Sequence, residues 1–367
     1  MSYRIGIVGA GLIGRTLAFE LSKENYQVTI FDSDSVAGHA SCGFAGAGML
    51  APYSELETCE SVIFELGRNA ISLWSQIIET LPAPVFLQAS GTLLVAHAQD
   101  KPILVRVKRL IEQKGPDASD DIWLQQLSDI ELNKYEPALA GRFSGVVLLA
   151  LEGQLDNRQL MQALCEGLNR AGVQCHFDTR VIALRPGQIE TISEQFNFDL
   201  VIDCRGLGAK ADIANLRGVR GEMIEVVAPD VTLSRPIRLM HPRYPIYIVP
   251  REKHHFLIGA TSIESESKSA ITVQSTLELL SAAYSVDSAF AEAHIIESRV
   301  NCRPALSDNK PRIFQHSGLM RVNGLYRHGF LITPKLVQII VQFIKSGRPD
   351  TSFECLFNSE ESLLCKL

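Results

Sequence analysis

Two features near the N-terminus could handle phosphate and ribose. Gly9-Ala10-Gly11-Leu12-Ile13-Gly14 has the G-x-G-x-x-G spacing, and Asp32 follows about 20 residues further on. Gly9 permits a tight turn, Gly11 lets the backbone approach a pyrophosphate, and Gly14 lets a helix pack closely on a strand. The unpaired N–H groups at the helix N-terminus then favour an anion there. A carboxylate at Asp32 can accept from both hydroxyls of a ribose. Together these residues point to a bound dinucleotide.

Other chemistry is sparser. There is no G-x-S-x-G, no H-E-x-x-H and no Walker lysine motif, so no nucleophilic or metal constellation is visible. The eight cysteines form no C-x-x-C pair and no zinc spacing, and are expected to be reduced thiols with no metal. The dinucleotide would therefore do the hard step, and the protein would hold the substrate. Arg303, at the end of an apolar run, and Arg327, in the glycine-bounded loop Gly324–Gly329, could each grip a carboxylate with two parallel hydrogen bonds. Taken singly, either also fits a surface charge or a structural ion pair. Tyr247 lies in an alternating run and fits sheet packing equally well. His241, His254, His255 and His328 titrate near neutrality but have no partner readable from spacing. Cys302 reads as a buried thiol.

The elements that must position these residues follow from periodicity. Arg4–Val8 and Val28–Phe31 are predicted strands flanking a helix over Arg15–Leu21. The stretch Ala40–Pro52 has too many glycines for a helix interior and too few charges for an exposed loop. It fits a backbone lying against a flat ligand, or a tight helix contact. One helix is predicted over Glu60–Thr80 and another over Lys101–Lys114, followed by a polar loop at Asp117–Asp121. Gly145–Leu151 reads as a buried strand, and Asp156 caps a helix running to Ala171. Val173–Phe177, Arg180–Leu184 and Leu200–Asp203 read as strands, the last entering a second glycine turn at Gly206. From Gly221 onward, short strands at Met223–Val227, Ile237–Met240, Ile246–Val249, Phe256–Ala260 and His294–Cys302 predict an antiparallel sheet. A strand at Leu319–Val322 and a helix from Thr333 to Ile344 close the chain.

The predicted class is thus α/β, with a Rossmann-like nucleotide-binding domain interleaved with an antiparallel-sheet substrate domain. Residues 1–82, 141–218 and 303–367 are assigned to the first, and 83–140 and 219–302 to the second. A length of 367 residues suits two domains, and 46% apolar content supports large cores. The net charge of −6 argues against nucleic acid. No apolar run is long enough to span a bilayer, so a cytoplasmic location is expected. Homo-oligomerisation is left open.

Five segments, in order, resemble the D-amino-acid oxidase family of flavoproteins, and within it the glycine oxidases of thiamine biosynthesis. They are Ile7–Gly14; Ala45-Gly46-Ala47-Gly48-Met49-Leu50-Ala51-Pro52; Glu152-Gly153-Gln154-Leu155-Asp156-Asn157-Arg158; Tyr247–Arg251 with Ile258-Gly259-Ala260-Thr261; and Arg303-Pro304 with Tyr326–Leu331. The resemblance implies FAD rather than NAD. Gly9, Gly11, Leu12, Ile13 and Gly14 would hold its pyrophosphate and Asp32 its ribose. Ser41, Gly46, Ala47, Gly48 and Met49 would line the isoalloxazine, Val181 the adenine, and Gly206 a second nucleotide-facing turn. His328, Gly329, Phe330 and Leu331 would close over the flavin. Arg327 would clamp a substrate carboxylate with Arg303, and Tyr247 would orient it. The implied reaction is oxidation of a small amino acid, such as glycine, sarcosine or a short D-amino acid, with O2 reduced to H2O2. A dehydrogenase feeding another carrier, and a nucleotide-binding module without turnover, remain alternatives. His328 stands where the family usually has Asn, and Cys302 is displaced by one residue from the flavin-linked cysteine of related enzymes, so non-covalent FAD is expected.

Overall fold

The structure, a computed structural model, describes residues 3–116 and 123–359; the predicted polar loop Asp117–Asp121 lies outside them. Its first layer is a seven-stranded sheet in the order Phe357–Ser359, Arg312–His316, Leu319–Asn323, Leu200–Asp203, Arg4–Val8, Gln27–Phe31, Gln174–His176. All neighbours run parallel except Arg312–His316 against Leu319–Asn323. Burial explains the composition: Ile5 and Ile7 of the central strand, with Ile202 beside them, are fully enclosed. Helices Leu12–Ser22, Asn157–Arg170 and Gly329–Ser346 cover one face through Leu17, Leu21, Leu160, Leu164, Leu336 and Ile340. A three-stranded antiparallel sheet, Val181–Arg185, Gln188–Thr191 and Gln195–Asn197, covers Phe31, Val201 and Leu319 on the other.

The second layer is an eight-stranded sheet in the order His294–Ala305, Arg217–Val227, His255–Gly259, Ile246–Pro250, Ile237–Leu239, Thr92–Val95, Val147–Leu149, Leu124–Gln126. Helix Val273–Val286 packs on one face through Leu279 and Ala283. Helix Lys101–Lys114 packs on the other with Trp123 and Leu94. The mixed α/β class matches the sequence expectation.

Several local expectations are corrected. The sheet is not wholly antiparallel, because Ile237–Leu239 pairs parallel with Thr92–Val95. Val147–Leu149 joins this second sheet rather than the first. The helix predicted over Glu60–Thr80 is two helices, Ser61–Gly67 and Ala70–Glu79. Ala40–Pro52 contains one helical turn, Cys42–Ala45, whose N-cap Ser41 accepts from the Phe44 N–H at 3.1 Å. The last helix starts at Gly329 and so contains Pro334. Proline lacks the N–H that would bond the carbonyl four residues earlier. Here the Phe330 carbonyl accepts instead from the Trp74 indole N–H at 2.7 Å.

Candidate active site

The glycine turn joins the first strand to its helix as predicted, and the three glycines separate by what they face. Gly9 has φ +102°, and a Cβ there would lie 2.6 Å from the Cys204 backbone. A Cβ on Gly14 would lie 1.9 Å from the Gly9 carbonyl oxygen. Both are required by the protein's own packing. Gly11 differs: its nearest neighbour would be the Ser41 Cβ, at 3.9 Å. It leaves a bare backbone facing open space, as a closely approaching ligand requires. Arg15, buried behind the turn, fixes it by donating to Ala10 O at 2.7 Å, Met161 O at 2.9 Å and Val36 O at 2.8 Å. Asp32 accepts from the N–H groups of Ala10 and Asp34.

In front of this turn lies a cavity of about 1060 Å³, at the top of the range of roughly 300–1,000 Å³ usual for ligand pockets. It is lined by Gly9, Gly11, Leu12, Ile13, Asp32, Ser41, Gly46, Ala47, Gly48, Met49, Val181, Gly206, Tyr247, Arg303, Arg327, Gly329 and Phe330. Seventeen of the twenty residues singled out from the sequence therefore meet in one space. Gly14, His328 and Leu331 do not line it. Gly14 serves the turn. His328 is buried behind the wall, 3.3 Å through Nε2 from the Cys59 thiol. Leu331 faces Gly67, where a Cβ would come within 2.5 Å of its side chain.

The small-residue stretch is held against the cavity by two residues of the Asp156 and Tyr247 segments. Asn157 donates to the carbonyls of Gly43 and Phe44, at 2.9 and 2.8 Å. Arg251 donates to the carbonyls of Ala47 and Leu155. Gly48 has φ +65°, and a Cβ there would lie 2.1 Å from the Leu155 carbonyl oxygen. Asp156 caps its helix as expected, accepting from the N–H groups of Arg158 and Gln159 at 2.9 Å each.

Arg303, Arg327 and Tyr247 line the same cavity. Arg303 donates to Thr261 O at 3.1 and 3.2 Å, in room left by Gly221, where a Cβ would fall 2.3 Å from Nη2. Burial pushes its pKa down. Arg327 donates to Glu55 Oε2 through Nε and Nη2 at 3.1 and 2.6 Å, and to Thr58 Oγ1 at 2.6 Å. Burial alone would raise the Glu55 carboxyl, but the charges of His328, Arg327 and Arg238 outweigh it and hold it at about 2. Burial pushes the Tyr247 phenol up to about 12 against the pull of Arg238, so it stays protonated and can donate. The cavity thus offers a bare-backbone anion cradle near one helix start, and the guanidinium groups of Arg303 and Arg327 reach it from separate elements. Of the other charged residues lining it, Arg238 and Glu55 carry no sequence signal. Arg238 is one polar position in a short strand, and Glu55 enters through a turn.

Cavity, cradle and donor set fit a flavin dinucleotide: Gly11 supplies the bare backbone, Asp32 the acid and Ser41–Met49 a small-residue wall. Residues 4–342 match the DAO family, the FAD dependent oxidoreductases, and the chain belongs to it. Within that class it is of the ThiO/glycine oxidase type. It is 39% identical over 349 residues to a putative thiamine biosynthesis oxidoreductase ThiO of Rhizobium etli, covering 95% of this chain and 98% of that one. It is 26% identical to the glycine oxidase of Geobacillus kaustophilus, whose crystal structure superposes with a TM-score of 0.81 over 95% of this chain and 96% of that one. An iminodiacetate oxidase from Chelativorans shares the fold, with a TM-score of 0.82 at 20% identity over 97% of this chain and 99% of that one. Among the described residues no helix is long and apolar enough to cross a membrane.

Proposed function

We propose that the chain oxidises a small amino acid, such as glycine, sarcosine or a short D-amino acid, to its imine, while O2 is reduced to H2O2. The observation that carries this is the meeting of Arg303 and Arg327 in the cavity that begins at Gly11. FAD, when bound, supplies the acceptor for the α-hydrogen and its electron pair. It would be held non-covalently by Gly9–Gly14, Asp32, Ser41, Gly46–Met49, Val181, Gly206 and Gly329–Phe330; the Cys302 thiol faces the carbonyls of Ser265 and Ser267.

The protein's own residues supply orientation and charge. Arg327 and Arg303 bind the substrate carboxylate, and Tyr247 donates to it. For Arg327 the substrate competes with Glu55, the internal carboxylate it already holds. The fixed carboxylate sets which face of the α-carbon meets the cofactor, and such positioning lowers the barrier without a strong base. The relative from Rhizobium etli, a putative thiamine biosynthesis oxidoreductase, supports a biosynthetic role for this oxidation. Apart from Val147–Leu149, which joins the second sheet, segments 1–82, 141–218 and 303–367 would carry the cofactor, with Arg303 and Arg327 reaching the substrate, and segments 83–140 and 219–302 would supply the rest of the substrate wall.

The test is anaerobic addition of glycine, sarcosine and D-alanine to the flavin-loaded protein, followed at the flavin absorbance, with peroxide measured in air. Arg327→Ala should lower kcat/KM about 10- to 100-fold, the equivalent of about 1.5–3 kcal/mol for a lost charged hydrogen bond. Unchanged turnover in Arg327→Ala would remove the assignment. Flavin reduction without peroxide in air would point to a different electron acceptor.

A further inference from the structure

At the cavity wall, Glu55, which lines the cavity, meets Cys59 and His328 behind it. Their donor atoms all lie within 4.8 Å of one another. The Cys59 Sγ is 3.2 Å from Glu55 Oε2, and the His328 Nδ1 is 3.6 Å from the same oxygen. Bonds of about 2.0–2.3 Å at tetrahedral angles place zinc ligands about 3.3–3.8 Å apart, so these two separations are near the edges of a coordination tetrahedron. A second observation singles out the ring. His328 is 2% exposed, and its Nδ1 has no hydrogen-bond partner while lying 3.6 Å from Glu55 Oε2. Buried polar atoms without partners are uncommon and ask for an explanation.

We propose that Glu55, Cys59 and His328 form a binding site for one thiophilic divalent cation of the Zn²⁺ class. The donor set of one thiolate, one imidazole and one carboxylate suits zinc and its congeners and not Mg²⁺ or Ca²⁺, which prefer oxygen. The Cys59 thiol gives up its proton to solvent on binding, because the thiolate is the ligand. The fourth position is open to water. Arg327 holds the same Glu55 oxygen at 2.6 Å, so guanidinium and cation compete for it. This coupling distinguishes the site from adventitious binding elsewhere.

Isothermal titration of the flavin-loaded protein with ZnCl2 tests this without any assay of turnover, so it stands or falls apart from the proposed reaction. One ion per chain is expected, with proton release read from the dependence of the heat on buffer. Cys59→Ser should weaken binding at least 10-fold, and His328→Asn likewise. Arg327→Ala should tighten it, because the competing guanidinium is gone. Flavin content and melting temperature confirm that each variant is folded; should Cys59→Ser fail to fold, Glu55→Gln replaces it. Absence of saturable binding to the unaltered protein, or equal affinity in the folded Cys59 and His328 variants, overturns the proposal.

Discussion

The contact between Trp74 and Phe330 offers a measurement of how a proline is accommodated next to the cavity. Pro334 cannot bond the Phe330 carbonyl, and the buried Trp74 indole does so at 2.7 Å. Trp74→Phe removes that donor and leaves the carbonyl buried and unpaired, at a cost of about 1–3 kcal/mol. The smaller ring also leaves a void, which adds a separate penalty. Pro334→Ala restores an N–H at the helical spacing, so Phe330 O gains an alternative partner. In that background only the void penalty of Trp74→Phe should remain. The double-mutant cycle therefore isolates the hydrogen bond, with an expected coupling of about 1–2 kcal/mol. Urea unfolding of the four proteins, followed by far-UV circular dichroism, gives the four stabilities. A coupling below about 0.5 kcal/mol, the level at which independent sites add, would refute the account of how Pro334 is tolerated.

Three further outcomes are expected. Gly14→Ala should abolish folding or strongly destabilise the protein, because its Cβ would fall 1.9 Å from Gly9 O; Gly11→Ala, whose Cβ meets only Ser41 at 3.9 Å, should fold and instead lose flavin affinity, as flavin titration of the apoprotein would show. Burial pushes the Glu152 carboxyl up to about 7 against the hydrogen bonds it accepts from Ser54. Its folded pKa exceeds the unfolded value of 4.5, so its contribution is complete below pH 4.5 and is lost as pH rises through 7, by about 3 kcal/mol. Glu152→Gln should remove that loss, so urea midpoints at pH 5 and 8 should favour the variant more at pH 8. Asn157→Ala should free the carbonyls of Gly43 and Phe44 and loosen the small-residue wall, which a faster flavin dissociation rate would reveal.

The most legible part of the molecule was the segment from Arg4 to Asp32, where strand, turn, helix, strand and acid are contiguous and each glycine has a local reason. Asp156 was legible for the same reason, since a cap and its helix are neighbours in sequence. The start of the last helix was not. Periodicity starts the helix at Thr333, where Pro334 suits a first turn; the helix in fact begins at Gly329, and the distant Trp74 makes the now interior proline acceptable. Arg238 was hidden because its place depends on Ile237–Leu239 pairing parallel with Thr92–Val95, a register that no periodicity encodes. Glu55 and Arg327 lie far apart in the chain and meet only through the fold. Gly67 was unremarkable in sequence, yet the approach of Leu331 depends on it.

The packing of helix Gly329–Ser346 against helix Leu12–Ser22 also sets the order of events during synthesis. The glycine turn leaves the ribosome well before Gly329 and Phe330, which complete the cavity. Domains begin to fold while the chain is still being made, N-terminal parts first, and here the earliest part must wait for the latest. A complete flavin cradle therefore exists only once Phe330 has been made. A nascent chain stalled before Arg327 would display its dinucleotide turn without being able to keep a cofactor.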